Sequence, residues 1–109
     1  MTALERDLVD ECRKSATAMG AFLAVVGQRN ARKSGSTLGF PDLCLICSGH
    51  VVLIELKRCK AADHPRGALS LGQVVFIERA REQHVAVHVV ERVEDFEDIV
   101  NWCRRSAPR

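Results

Sequence analysis

The stretch GFPDLCLICSGHVVLIELKR, residues 39–58, holds two acids, Asp42 and Glu55, and Lys57 inside runs that are otherwise almost wholly apolar. Charged side chains are rarely buried without a partner or a metal. The apolar runs Leu43 to Cys47 and Val51 to Lys57 are separated by Ser48-Gly49, which together predict a β-hairpin. A two-residue turn there sets Cys47 opposite His50, so that each residue i faces residue 97 − i and Asp42 falls opposite Glu55. Opposed side chains on one face stand about 5 Å apart at Cβ, close enough for one cation to bridge both carboxylates. Period-two alternation puts Lys57 on the same face. A turn at Gly49-His50 would instead set Asp42 opposite Lys57, and a three-residue loop would break the relation.

Outward from the hairpin, Thr2-x-x-Glu5 followed by Leu4, Leu8, Val9, Cys12, Ala16 and Met19 predicts a capped amphipathic helix ending near Gly20. Ala21 to Val26 is a short apolar strand, and residues 27–40 form a Gly/Ser/basic loop. After the hairpin, a polar stretch leads to Ser70; Leu71 to Gln83 predicts a helix, residues 85–90 (VAVHVV) a strand, and Val93 to Arg104 a closing helix with Phe96, Ile99, Val100 and Trp102. The expected order is helix, three strands, helix, strand, helix. Both hairpin strands are apolar on both faces, which predicts an α/β protein with a mixed sheet flanked by helices on each side.

With 109 residues, a single domain spanning 1–109 is expected. Charged residues at 28% and hydrophobic ones at 47% exclude a disordered or fibrous chain. No apolar run approaches the length of a membrane span, and the charged N-terminus lacks the apolar core of a secretory signal. Five cysteines, an odd number scattered through regular segments, indicate reduced thiols. A cytoplasmic location is expected. Net charge is only +2, but residues 27–66 hold seven basic residues against three acids, a basic surround suited to a phosphate backbone.

Two facing carboxylates repel and raise each other's pKa unless something positive lies between them. One arrangement is a buried Lys57 paired to one acid, with the other acid solvated. The other is a hard divalent cation held by Asp42, Glu55 and the intervening carbonyl of Leu56; an oxygen donor set with few carboxylates suits Mg²⁺ or Mn²⁺.

Pro41-Asp42 followed by Glu55-x-Lys57 resembles the signature of the PD-(D/E)XK nuclease superfamily. The fuller pattern, G-x-P-D-L, an apolar hairpin, I-E-L-K-R and then G-x-L-S-x-x-Q, is similar to its VRR-NUC branch, in stand-alone form, and the resemblance runs from Glu5 to about Trp102. It implies a restriction-endonuclease-like αβββαβ core. It also implies that Asp42 and Glu55 are metal ligands with the Leu56 carbonyl, and that Lys57 positions or activates the attacking water and offsets phosphate charge. An acid from the first helix and a glutamine near the metal belong to the same pattern. By helical geometry only Glu5 of the four nearby acids faces the sheet, and it would join the ion through a water; it is equally the capping partner of Thr2. Gln73 fits the glutamine, and it also completes a capping box with Ser70.

Gln28, Arg29, Arg32 and Lys33 before the hairpin, with Arg58 and Lys60 after it, are candidate phosphate contacts. His84 and His88 are expected to be structural. Cys44-x-x-Cys47-x-x-His50 has zinc-like spacing, but the two cysteines would point to opposite faces of a strand, so the thiols are read as core. The resulting expectation is a Mg²⁺- or Mn²⁺-dependent nuclease acting on duplex or branched DNA in repair or recombination, with a homodimer implied by resemblance. The closing helix with Phe96, Ile99, Val100 and Trp102 and the first helix are candidate interfaces. No organic cofactor or membrane is expected. A non-catalytic nucleic-acid-binding module and an RNA-directed nuclease are the alternatives; no aromatic platform for single-strand stacking is evident, because the Phe and Trp residues are read as core.

Overall fold

The computed structural model describes residues 3–26, 39–57 and 69–106. The candidate phosphate contacts Gln28, Arg29, Arg32, Lys33, Arg58 and Lys60, and the proposed cap Thr2, lie outside them. The order is α1 (Ala3–Met19), β1 (Phe22–Val25), β2 (Leu43–Cys47), β3 (His50–Leu56), α2 (Leu71–Glu82), β4 (Val87–Val90) and α3 (Val93–Arg105). This is the expected succession, with ends moved by one or two residues.

The strands form one sheet in the order β1-β2-β3-β4. β1 and β2 are antiparallel, as are β2 and β3, whereas β3 and β4 are parallel. A parallel neighbour requires a crossover, and the segment carrying α2 makes it. The β2-β3 turn is the two-residue kind, with Ser48 at φ 52° and Gly49 at φ 83°. Two successive left-handed residues give a type I′ turn, whose twist matches that of the strands. It fixes the register, pairing Cys47 with His50 and Leu43 with Ile54.

Helix α1 ends in a Schellman motif: Gly20 is left-handed at φ 72°, its N–H donates to the Thr17 carbonyl at 3.3 Å, and Ala21 N–H donates to the Ala16 carbonyl at 2.9 Å. The same motif closes α2, with His84 N–H on the Arg81 carbonyl and Val85 N–H on the Ala80 carbonyl, both at 2.9 Å. There the left-handed residue is His84, at φ 63°.

One sheet face packs against α1 and α3. Leu43, Leu45, Cys47, Val52, Ile54, Leu56 and Val90 meet Leu8, Val9, Cys12 and Ala16 from α1 and Phe96, Val100 and Cys103 from α3. Each large side chain buried there is worth about 1.5–3 kcal/mol. The other face carries Glu55 and meets α2, but no residue of α2 is itself buried. Cover on that face is therefore partial: Phe22, Ile46 and Val51, aligned across three strands, are 62%, 43% and 68% exposed.

Two expectations about aromatic and apolar residues are corrected. Phe22, on the edge strand, and Trp102, on the last turns of α3 at 47% exposure, are not core. Phe96 and Val100 are fully buried against the sheet, so that face of α3 belongs to the chain's own core and is not free to form an interface.

Candidate active site

Asp42 stands immediately before β2, and the β2-β3 register carried one step beyond Leu43 and Ile54 brings it opposite Glu55. Its position is fixed from several sides. The preceding Pro41 is fully buried, the Asp42 carbonyl accepts the Val26 N–H at 2.8 Å, and Asp42 Oδ2 accepts the Leu56 N–H at 3.0 Å. Glu55 is 1% exposed and Asp42 8%. Lys57, just past the end of β3, is half-buried and donates its N–H to the Val90 carbonyl at 3.0 Å. The arrangement with one acid solvated is therefore absent, since both carboxyls are buried.

Burial drives the Glu55 carboxyl up from its ordinary value of 4.5 to about 8. The charge of Asp42 and a hydrogen bond between the two side chains add to the rise, and the charge of Glu5 contributes a little more. Lys57 opposes the rise without cancelling it. A hydrogen bond between two carboxyls needs a proton, and the raised Glu55 pKa lets the pair keep one near neutral pH.

Gln73 caps α2 and also reaches Glu55. Ser70 Oγ accepts the Gln73 N–H at 3.2 Å and Gln73 Oε1 accepts the Ser70 N–H at 2.8 Å, completing the capping box. The Nε2 end of the same amide donates to Glu55 Oε1. Glu5 is half-buried on α1 and close enough for its charge to act on Glu55.

Among the described residues no group of three or more His, Cys, Asp and Glu side chains is arranged to hold a metal ion. The site thus offers two facing buried carboxyls, and the sequence resemblance adds the main-chain carbonyl of Leu56. That set fits Mg²⁺ or Mn²⁺, which commonly take one or two carboxylates and leave the other positions to water and phosphate oxygens. It does not fit a structural zinc. Cys44 is half-buried and Cys47 buried on the other face, and neither is in a disulfide. His84 and His88 are both exposed and lie outside the acidic pair.

Phe40 and Phe76, beside the site, carry no role in the sequence reading, and Gly39 enters it only as the first residue of G-x-P-D-L. Gly39 and Phe40 lie in the opening stretch, and a glycine two positions before a buried proline was the available signal.

No protein-family model matches the chain, and no curated protein does. Solved structures do. A chain described as "VRR_NUC domain" aligns with a TM-score of 0.65 at 18% identity, covering 92% of this chain and 97% of its own. Another, a "VRR_NUC domain protein", aligns with a TM-score of 0.68 at 13% identity, covering 98% of this chain and 93% of its own. The chain has the VRR-NUC fold, an α/β architecture over nearly its whole length. Among the described residues no helix is long and apolar enough to cross a membrane.

Proposed function

We propose that this chain is a single nuclease domain that hydrolyses phosphodiester bonds in DNA with Mg²⁺ or Mn²⁺, acting on duplex or branched substrates as a homodimer. The observation that carries the reading is the buried pair Asp42 and Glu55, set opposite each other at the hairpin end, with burial and the neighbouring charge pushing the Glu55 carboxyl up. A pair built for stability alone is seldom kept in that form, because burying charge is costly. The VRR-NUC fold of the two structural neighbours supports the same reading.

In this reading Asp42 and Glu55, freed of their shared proton, would hold the ion together with the Leu56 carbonyl, and Glu5 would add negative charge nearby. The ion, when bound, lowers the pKa of water and stabilises charge on the phosphate. Lys57 stays outside the ligand set, orients the attacking water and offsets the charge that builds as the phosphorus becomes five-coordinate. Gln73 holds the Glu55 carboxyl in place. Gln28, Arg29, Arg32, Lys33, Arg58 and Lys60 flank the hairpin in sequence and would grip neighbouring phosphates.

The test is cleavage of plasmid, linear, flap and four-way-junction DNA, and of RNA, with Mg²⁺, Mn²⁺ or EDTA. Cutting that needs the metal and is lost in Glu55→Ala and Lys57→Ala is expected. Metal-dependent cutting that survives both substitutions refutes the site. Binding without cutting on any substrate would mark a nucleic-acid-binding module, and cutting confined to RNA would move the substrate class.

A further inference from the structure

Gly39 lies three residues before Asp42 and against the first turn of α2. Its φ is +79°, in the left-handed region. A β-carbon there would stand 2.2 Å from the Gly72 carbonyl oxygen, 2.3 Å from its carbonyl carbon and 2.7 Å from the Gln73 nitrogen. All three are main-chain atoms, so no change of rotamer relieves the overlap, and the start of α2 and the segment at Gly39 have to separate. Beside this contact the rings of Phe40 and Phe76 meet edge to face, with centroids 5.2 Å apart and planes at 68°. The seam joins α2 to the segment leading into β2, in addition to the contacts the helix makes with β4.

The seam bears on Glu55 through Gln73. Both ends of the Gln73 amide are engaged, Oε1 by the Ser70 N–H and Nε2 by Glu55. A side chain held at both ends cannot swing to follow a helix that has shifted.

We propose that Gly39 is a positioning residue: its bare backbone lets α2 seat on the segment leading into Asp42, and that seat places Gln73 on Glu55. The consequence for hydrolysis rests on the proposed nuclease activity; the seat itself does not.

The test is Gly39→Ala in ¹⁵N-labelled protein without metal, read at the Gln73 side-chain amide and assigned with Gln73→Ala. In the parent protein, one amide proton bonded to a buried carboxyl should resonate away from the ordinary glutamine position. In Gly39→Ala both protons should return to it while signals from Leu8 and Phe96 in the core persist. On DNA, kcat should fall by roughly 10- to 100-fold with KM nearly unchanged, as for a misplacement of about 1 Å. The double variant with Gln73→Ala should be no slower than Gln73→Ala alone.

Gln73 signals unmoved in folded Gly39→Ala, or additive losses in the double variant, overturn the proposal. Should Gly39→Ala not fold, Phe76→Ala loosens the same seam without adding an atom and should shift the same signals; unmoved signals there overturn it equally. If the parent protein cuts no nucleic acid, the nuclease reading fails while the amide signals still judge the seat.

Discussion

Replacing Glu55 by Gln tests the buried carboxyl pair through stability alone. Glutamine keeps the shape of the protonated acid, can still accept from Gln73, and can donate to Asp42. The folded protein holds Glu55 at about 8 against 4.5 ordinarily, so between these values the unfolded chain releases a proton that the folded one keeps. Stability tied to this group is therefore complete below pH 4.5, falls as pH rises, and is fully lost above about 8. The loss amounts to about 3 kcal/mol at pH 7 and about 5 kcal/mol above pH 8, with little screening at a site 1% exposed. Five is comparable with the whole stability of a small domain.

Urea unfolding from pH 5 to 9 in EDTA, followed by the fluorescence of Trp102, the single tryptophan, measures it. The parent protein and Glu55→Gln should nearly coincide at pH 5, and the variant should lead by a margin that widens with pH. Adding Mg²⁺ at pH 8 should restore the parent and leave the variant unchanged. A difference that stays constant with pH would refute the reasoning.

Asp42→Asn keeps an acceptor for the Leu56 N–H but removes the neighbouring charge; the Glu55 pKa, followed by ¹³C titration, should fall below 8 without reaching 4.5, since burial is its largest cause. Leu45→Ala, at a fully buried core position, should cost about 2–5 kcal/mol in urea unfolding and leave the Glu55 titration in place. His84→Gly should stabilise the chain by about 1 kcal/mol, raising the thermal midpoint, because a glycine takes the left-handed conformation at φ 63° without a steric penalty.

The site was legible in sequence wherever one short-range rule set its geometry. Ser48-Gly49 fixed a two-residue turn, the turn fixed the register, and the register set Asp42 against Glu55. Ser70-x-x-Gln73 announced the helix start for the same reason, since a capping box is local. What escaped depends on contacts between distant segments. That Gly39 meets Gly72 follows from how α2 sits on the sheet, and no local pattern encodes that. The exposure of Phe22, Ile46 and Val51 escaped because an apolar strand reads alike whether or not a helix covers it. The burial of Phe96 and Val100 was hidden for a related reason: an amphipathic helix shows one apolar face, and the sequence does not say whether its own core or a partner takes it.

The assignment of Asp42 and Glu55 as cation ligands is tested most directly by counting Mn²⁺ bound by the metal-free chain, using the paramagnetic resonance of the free ion, between pH 6 and 8. The pair should take up Mn²⁺ with an affinity that rises about tenfold per pH unit as the shared proton is displaced, and Asp42→Ala and Glu55→Ala should abolish that uptake. Equal uptake by the parent protein and both variants, or an affinity indifferent to pH across that range, would contradict it.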